Sequence, residues 1–419
     1  MRERRPARLA LWLAMLWLAG VALRLTVLAV PPVVPQLHTE FALSETEIGV
    51  LGGLLSLLFA AAAIPGSLLI ARLGAVTALV IGLLINGIGS VARAAAPGVL
   101  ALDAATIVMG LGIAIMQPAL PPLVRDWFPQ RIGFATAVYT NGLLVGEFVV
   151  VAITIPFVLP LVGGSWRWDF VVWALPVLAT AALVGVAAPR QKRAFTGALP
   201  SPRRWWPDWR QPLIWRLGLI LGSENSMYFG SNNFLPDYLT AAGRPDLISA
   251  GLTALSFSQL PASLLMLALA GRLARRPSAY VATGAVALVS LVGMMAAGGM
   301  WIVVWAGILG FANAVILVLA LALPSLLSRP DDVHRTSAAM FTISYSCAVV
   351  IPIVGGALWD LTGQSAAALV PLAFAAILIV ALAGTLEFKP EGGGDESVPF
   401  VDREPVAQLS ASGSSAQRS

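Results

Sequence analysis

Residues 9–37 read LALWLAMLWLAGVALRLTVLAVPPVVPQL and decide the class of the fold. This stretch is longer than the ~20 apolar residues that a helix needs to cross a bilayer. It nevertheless contains Arg24, and the prolines Pro31, Pro32 and Pro35 lie near its end. A guanidinium at membrane depth costs at least ~2.5–3.5 kcal/mol, so we expect Arg24 to face protein or water. The residue alone leaves open whether it locks two helices as an ion pair or binds an anionic or polarised solute.

The composition of the whole chain is that of an integral membrane protein. Of 419 residues, 58% are hydrophobic and only 11% are charged, whereas a soluble domain carries about 25% charged residues. The single cysteine, Cys347, excludes an intramolecular disulfide framework and a cysteine metal cluster. The first apolar run is too long for a signal peptide and has no small-residue cleavage site, so we expect it to remain as the first transmembrane helix.

Apolar segments of about 20 residues or more, separated by short polar loops, predict twelve transmembrane helices and an all-α polytopic membrane protein. Only Gly298, Gly299 and Met300 separate the ninth segment from the tenth. The predicted segments are 9–35, 46–70, 75–95, 100–123, 132–160, 168–187, 212–239, 247–270, 278–298, 300–327, 335–358 and 365–386.

The basic residues predict the orientation of the chain in the membrane. With a cytoplasmic N-terminus, 22 of the 26 lysines and arginines fall on the inner side, which is the usual positive-inside distribution. Arg93, Arg167 and Arg244 fall on the outer side, and Arg24 falls within the membrane. We therefore expect both termini in the cytoplasm and the protein in the inner or plasma membrane.

A basic segment at 188–211 divides the chain into two sets of six helices. Weak echoes between equivalent loops, such as Ala71-Arg72-Leu73 and Gly271-Arg272-Leu273, suggest a duplicated unit. Two such halves around a central cavity are typical of a transporter that rocks between two states. The arginines and tryptophans of 188–211 favour an inner-leaflet anchor over a nucleic-acid patch. The predicted domains are a cytoplasmic N-terminus 1–8, an N-terminal half 9–187, a cytoplasmic central loop 188–211, a C-terminal half 212–386 and a disordered cytoplasmic tail 387–419.

Several motifs resemble those of a known family. The loop after the second helix reads Ser67-Leu-Leu-Ile-Ala71-Arg72-Leu73-Gly74, which resembles the Gly-x-x-x-Asp-Arg-x-Gly pattern of the major facilitator superfamily with alanine in place of the acidic residue. More specifically, the chain resembles the cyanate permease and 2-nitroimidazole transporter group. The resemblance implies twelve helices in two halves and the transport of small solutes. The stretches that carry it are Leu23 to Thr26, Pro32 to Gln36, Phe128 to Thr140, Ser226 to Phe229, Phe234 to Pro236 and Gln259 to Leu264.

Three charged residues lie inside the predicted spans at a similar depth: Arg24 in helix one, Glu147 in helix five and Glu224 in helix seven. At ~1.5 Å per residue, all three fall near the middle of a ~30 Å core, where transporters bind solutes. Helices one and five are neighbours in the facilitator fold, so the resemblance makes Glu147 the expected partner of Arg24. The pair is either permanent, or it opens when Arg24 binds solute and a proton reaches Glu147, with Glu224 as a second candidate for proton coupling.

Helix seven carries the densest polar run, LGSENSMYFGSNN at 221–233. Glu224, Tyr228 and Asn232 are spaced four residues apart, so we expect them on one face, where they either pack helices or line the cavity. The two glycines of the run and Pro236 predict a locally unwound helix. The complete set of predicted solute-binding residues is Arg24, Gln117, Glu224, Tyr228, Asn232, Gln259 and Asn313.

These observations predict a secondary transporter that moves a small anionic or polarised solute by alternating access, with proton coupling as an option. One alternative is a multidrug-type exporter, which usually has an arginine in helix four where this chain has Thr106; another is a solute sensor that does not transport. The sequence has no P-loop, no catalytic motif and no cluster of metal ligands around His38 or His334. We therefore expect a monomer that is not an enzyme, with no cofactor, no metal and no nucleic-acid partner. Its expected partners are the solute, membrane lipid and, as an option, protons.

Overall fold

The computed structural model describes residues 4–41, 45–189 and 205–388, and nearly all of them are helical. The described residues contain no strand, which agrees with the predicted all-α class. Residues 190–204 of the central loop and the predicted tail from 389 onward lie outside the described residues. The membrane helices are α1 (Arg4–Leu28), α2 (Glu45–Leu73), α3 (Ala75–Ala94), α4 (Val99–Trp127), α5 (Ile132–Ile153), α6 (Trp166–Ala187), α7 (Pro212–Ala241), α8 in two parts (Ile248–Phe257 and Gln259–Leu273), α9 (Pro277–Ala296), α10 (Met300–Leu327), α11 (Val333–Thr362) and α12 (Val370–Ala383).

Eleven of the described helical segments are long and apolar enough to cross a membrane. Helix α7 is not one of the eleven, because polar residues along it lower its mean hydropathy. Its 30 residues nevertheless correspond to ~45 Å at 1.5 Å per residue, which is more than a bilayer core. With α7 included, the described residues make the twelve passages that the sequence predicts.

The twelve helices form two halves with equivalent packing. In the first half α1 lies against α5, and in the second half α7 lies against α11. Between the halves, α2 packs against α11 and α5 packs against α8, which are again equivalent pairs. This repeated arrangement agrees with a duplicated six-helix unit. The first, fourth and fifth helices of each half then surround the centre of the molecule.

At the predicted cytoplasmic ends of α4 and α10, hydrogen bonds join the two halves. The Arg125 guanidinium on α4 donates to the carbonyl oxygens of Ser325 and Ser328 at the end of α10. The Ser325 hydroxyl donates in return to the carbonyl oxygen of Pro121, at 2.8 Å. These reciprocal bonds hold the halves together on this side of the central cavity.

The C-terminal part of the central loop adds to the same contact. The Ser67 hydroxyl on α2 donates to the carbonyl oxygen of Trp205 at 3.1 Å, and Arg335 on α11 donates to that of Trp206 at 3.4 Å. The two tryptophan rings pack edge to face, with 5.3 Å between their centroids. One tryptophan pair therefore contacts both halves.

The predicted unwinding of α7 is wrong, because the helix is continuous over Pro212–Ala241. Its glycines serve packing instead. A Cβ on Gly222 would lie 2.9 Å from the side chain of Cys347, and a Cβ on Gly230 would lie 2.7 Å from that of Leu372. A glycine inside a helix costs only about 1 kcal/mol, which close packing offsets. The helical breaks occur elsewhere, after Leu28 in α1 and at Ser258 in α8.

Arg93, which the distribution of basic residues assigns to the outer side, is buried in the protein rather than exposed there. Arg93 lies in the last turn of α3, and its side chain is only 1% exposed. It lies two residues before the end of the predicted segment 75–95, where the sequence does not show whether a long side chain turns outward or inward. The structure instead turns the guanidinium inward among α1, α4 and α6.

Candidate functional site

The site begins where α1 lies close against α5. The approach requires glycine at two positions, because a Cβ on Gly20 would collide with the carbonyl oxygen of Tyr139, and one on Gly142 with that of Trp17. One turn beyond Gly20, the guanidinium of Arg24 reaches α5, with its Nε 3.6 Å from Oε2 of Glu147. The predicted partnership of Arg24 and Glu147 is therefore present as an ion pair.

Glu147 connects this pair to the other half of the molecule. Its Oε1 accepts a hydrogen bond from the hydroxyl of Tyr228 on α7. The same hydroxyl interacts with the side chain of Gln259, which begins the second part of α8. A chain of contacts thus runs from Arg24 through Glu147 to Tyr228, and it crosses the boundary between the halves.

Glu224 adds a second carboxyl group to the cluster. Its side chain is buried on α7, at 2% exposure, within electrostatic range of both Arg24 and Glu147. Its Oε2 has no hydrogen-bond partner among the described residues. The cluster therefore contains one guanidinium and two carboxyl groups in a largely dry environment.

A cavity of about 20 Å³ lies beside Arg24. A space of this size holds about one water molecule. Six helices line the cavity with two residues each, namely α1, α4, α5, α7, α10 and α11. The lining residues are Leu23, Arg24, Gln117, Leu120, Tyr139, Leu143, Leu221, Asn225, Leu317, Leu321, Phe341 and Tyr345.

Some polar side chains of the cavity wall form hydrogen bonds with neighbouring side chains. Gln117 donates from Nε2 to the hydroxyl of Tyr345 at 2.7 Å, and Asn225 donates to the hydroxyl of Ser344 at 2.6 Å. The buried Oε1 of Gln117 and the hydroxyl of Tyr139 have no partner among the described residues. A guanidinium with free polar groups inside apolar walls can hold a small solute that has one charged or polarised end.

The comparison with known sequences decides the family. The sequence pattern of the Major Facilitator Superfamily matches residues 16–252, which is more than half of the chain. The chain belongs to the major facilitator superfamily. Membership identifies a multi-pass membrane protein of the secondary transporter class, and the relatives described below are transporters rather than enzymes.

Three relatives of this facilitator align over most of their length. It is 28% identical to the uncharacterized transporter YycB of Bacillus subtilis (strain 168) over 367 residues, which are 86% of this chain and 89% of the relative. It is 27% identical to the cyanate transport protein CynX of Escherichia coli (strain K12) over 387 residues, 90% of this chain and 97% of the relative. It is 24% identical to the 2-nitroimidazole transporter of the same organism over 373 residues, 86% and 91% of the two chains. The resemblance to this group is confirmed.

Solved structures share the fold of this facilitator at low sequence identity. The transporter FucP in its outward conformation aligns with a TM-score of 0.71 at 16% identity, over 90% of this chain and 98% of FucP. The proton:xylose symporter XylE aligns with a TM-score of 0.71 at 13% identity, over 91% and 96% of the two chains. These similarities confirm the facilitator fold predicted from the sequence.

The structure brings most of the predicted site residues of this facilitator to the centre. Arg24 and Gln117 line the cavity, while Glu147, Glu224 and Tyr228 form the charged cluster beside it. Their shared location agrees with the similar depths that the sequence predicts.

Three other predicted residues lie around this centre in different ways. Gln259 contacts Tyr228. Asn313 is fully buried with neither amide atom partnered among the described residues, and it lies one turn from Leu317 of the cavity wall. Asn232 donates to the carbonyl oxygen of Tyr228 on its own helix, at 2.8 Å, and the structure does not bring its amide to the cavity.

The prediction omitted several residues that line the cavity. Tyr139 lies in a span of mostly small residues, where a tyrosine is a detectable polar signal. Asn225 belongs to the polar run of helix seven, but the spacing of four residues from Glu224 passes over it. Phe341 carries no signal in the sequence, since an aromatic residue in a membrane helix usually faces lipid or the protein core.

Proposed function

We propose that this facilitator moves a small anionic or polarised solute by alternating access and that a proton moves with it. The observation that carries the proposal is the contact chain from Arg24 through Glu147 to Tyr228, because it joins the two halves at the binding centre. A solute that replaces Glu147 at the guanidinium changes the link between the halves. Solute binding and the rocking of the two halves are then coupled through the contacts of Arg24, Glu147 and Tyr228.

The charge of the cluster supports a proton in the cycle. One guanidinium and two carboxyl groups are neutral together only when one carboxyl group is protonated, and uncompensated charge is costly in a buried site. In the proposal Glu224, with its unpartnered oxygen, holds this resident proton. When a monoanion binds Arg24, a second proton on Glu147 keeps the site neutral, and that proton travels with the solute.

The shape and chemistry of the cavity support a compact solute. Its walls are leucine and aromatic side chains, and its polar groups are gathered at one end around Arg24. Two relatives are named for cyanate and 2-nitroimidazole, both of which are small and carry a polarised group. The chemistry of this lining suits a small planar solute with a negative end better than a bulky drug, and the cavity of about 20 Å³ has to widen to admit either.

The test uses purified protein in liposomes. We expect one of cyanate, nitrite, benzoate or 2-nitroimidazole to raise the melting temperature, and we expect its labelled form to accumulate when the outside is made more acidic. If solute and proton move one to one, an imposed membrane potential does not change the rate, whereas an uncoupled monoanion gains ~2.3 kcal/mol per 100 mV. Absence of counterflow for every probe that binds would overturn the carrier and favour a sensor.

The location and orientation in the membrane are part of the proposal. We propose a monomer in the inner or plasma membrane with both termini in the cytoplasm, which the distribution of basic residues supports. A cysteine reporter placed in the exposed turn at Gly363 should react with an impermeant reagent from outside intact cells. A reporter at Gly74 should react only after the membrane is opened.

A further inference from the structure

Helix α1 ends in an interruption close to Arg24. The α-helix stops at Leu28, a 3₁₀ turn covers Pro31–Val33, and a second short helix runs over Val34–Phe41. Pro31 and Pro32 have no N–H to donate to the carbonyl groups of Val27 and Leu28. The N–H of Val30, the usual donor to the carbonyl group of Thr26, donates to that of Val27 at 3.5 Å. The end of the helix that carries Arg24 therefore needs hydrogen-bond donors from outside the helix.

Arg93 on α3 supplies such a donor. Its Nη1 donates to the carbonyl oxygen of Thr26 at 2.9 Å. A cation at the C-terminus of a helix also interacts favourably with the helix dipole. Arg93 thus caps α1 two residues after Arg24, where the proline break leaves the backbone weakly held.

Asn86, two turns before Arg93 on α3, holds the same segment at a second place. Its Nδ2 donates to the carbonyl oxygen of Ala22 at 3.1 Å, and its Oδ1 accepts from the hydroxyl of Thr26 at 2.7 Å. Positions 22 and 26 lie two residues before and after Arg24, which is about 200° around the helix. Helix α3 therefore forms hydrogen bonds with one side of α1, while Arg24 points to the opposite side.

Arg93 is itself fixed by the N-terminal half. Its Nη1 also contacts the sulfur of Met109 on α4 at 2.9 Å, and its guanidinium carbon lies 4.0 Å from the ring centroid of Phe170 on α6. Asp169, fully buried beside Phe170, provides an opposite charge within electrostatic range. These groups leave Arg93 little freedom, so it can hold another element in place.

We propose that Arg93 is a positioning residue, which caps the interrupted end of α1 through the Thr26 carbonyl and so sets where Arg24 meets Glu147 and the solute. The inference rests on the proposed role of Arg24 in binding solute. Arg93 does not line the cavity and does not touch the solute. It acts through the backbone of α1.

The first test measures solute transport by Arg93→Met in liposomes, with whichever of cyanate, nitrite, benzoate or 2-nitroimidazole the wild type transports. We expect the KM to rise about tenfold, since misplacing a binding group by about 1 Å has effects of this order or larger. The maximal rate per folded carrier should change less than about twofold. Arg93→Lys keeps a charged donor near Thr26 and should restore most of the affinity.

Two further variants separate positioning from folding. Ser90→Ala removes a buried hydrogen bond between α3 and the carbonyl of Phe170 without touching α1, and its KM should equal that of the wild type. Thr26→Val removes the hydroxyl bond to Asn86 and should raise the KM in the same direction as Arg93→Met. If Arg93→Met only reduces the amount of folded carrier and leaves the KM unchanged, Arg93 is a structural residue and the proposal is wrong.

A thermal measurement without solute keeps this inference distinct from the proposed function. The melting temperatures of Arg93→Met, Arg24→Met and the double variant form a cycle, and coupled residues give non-additive changes. We expect the double variant to lose less than the sum of the two single losses, because Arg93 matters less once Arg24 is absent. Additive losses overturn the inference even in a carrier that transports as proposed, whereas non-additive losses without transport of any probe overturn only the function.

Discussion

Arg24 and Arg93, two arginines within the membrane helices of this facilitator, have opposite surroundings. Arg24 faces a carboxylate at 3.6 Å, a cavity and a second carboxyl group from the other half. Arg93 faces a backbone carbonyl, a thioether sulfur and an aromatic ring, all within the N-terminal half. Both guanidinium groups avoid lipid. Arg24 forms an ion pair with a carboxylate beside a cavity, where a solute or a proton can replace its partner, whereas Asp169 lies within electrostatic range of Arg93 without a hydrogen bond to it.

The difference teaches how to interpret a charge inside a membrane helix. A carbonyl oxygen and an aromatic ring do not change protonation state, so the contacts of Arg93 persist through a transport cycle in which its half moves as a body. A carboxylate can be neutralised and a tyrosine on the other half can move away, so the contacts of Arg24 can be exchanged. Functional and structural arginines are therefore separated by their partners rather than by their burial.

The same substitution at both arginines gives the largest predicted effect. Arg24→Lys should lower Vmax/KM about 100-fold, because lysine cannot reproduce the planar, forked donor set that arginine presents to a carboxylate or an anion. Arg93→Lys should lower it less than about threefold, since one charged donor to Thr26 is enough. Initial rates of solute uptake per folded carrier provide the measurement, and equal losses at the two sites would contradict the distinction.

The two carboxyl groups test whether the exchange at Arg24 involves a proton. Glu147→Gln resembles a permanently protonated Glu147, so counterflow should continue while accumulation driven by a pH gradient is lost. Glu224→Gln is the matched control, because in the proposal Glu224 keeps its proton throughout, and accumulation should fall less than about threefold. Uptake measured with and without a protonophore distinguishes these outcomes. Normal, pH-dependent accumulation by Glu147→Gln would remove Glu147 from the proton path.

The fold was predictable because it follows from the length of the apolar segments and from the pattern of charges between them. Twelve apolar segments, the basic inner loops and the polar break at 188–211 gave most helix ends to within four residues, while α1 and α5 end seven residues before their predicted ends. The continuity of α7 was not predictable in the same way. Gly222 and Gly230 have the same sequence signature whether they unwind a helix or admit a neighbouring side chain, and only the neighbours Cys347 and Leu372 decide between these outcomes.

The charged part of the site was predictable because a charged side chain in a membrane helix has a high free-energy cost. Arg24, Glu147 and Glu224 stand out in apolar spans, and their similar depths indicated one location before any contact was known. Arg93 was missed because it lies at the end of a span, where the sequence does not show whether a long side chain turns outward or inward. Phe341 was missed because packing, rather than polarity, brings it to the cavity.

Arg125 sharpens the comparison, because it contacts carbonyl groups as Arg93 does but, unlike Arg93, contacts the other half of the molecule. Arg125→Met removes its hydrogen bonds to Ser325 and Ser328, and bonds from a charged donor contribute about 1.5–3 kcal/mol. We expect the equilibrium to shift about tenfold or more toward the form that is open on the cytoplasmic side. Labelling of Leu321→Cys in a Cys347→Ala background measures this opening, since Leu321 is buried in the cavity wall.

The control for this experiment is Arg329→Met, which changes an exposed arginine next to the same contact and should leave the labelling rate unchanged. Faster labelling with Arg125→Met alone means that an arginine with fixed carbonyl partners can still govern transport when it spans the halves. An unchanged labelling rate means that a contact between the halves is not enough to give an arginine a role in transport, and that such an arginine needs partners that can be exchanged.

Substitution of Glu40 gives the smallest expected effect. It tests whether contacts of the short helix Val34–Phe41, which follows α1, influence the position of Arg24. The carboxylate of Glu40 accepts hydrogen bonds from Trp166 at 2.6 Å and Arg167 at 2.7 Å, and these lower the pKa of Glu40 below its ordinary value of 4.5. A lowered pKa stabilises the fold above pH 4.5, and this contribution is lost as the pH falls through the lowered value. Glu40→Gln should therefore reduce the melting temperature by about 1 °C at neutral pH, because exposed pairs contribute little, and by less in acid. The KM should not change, since the interruption at Pro31–Val33 separates Glu40 from Arg24. A raised KM would mean that the short helix Val34–Phe41 also positions the binding group.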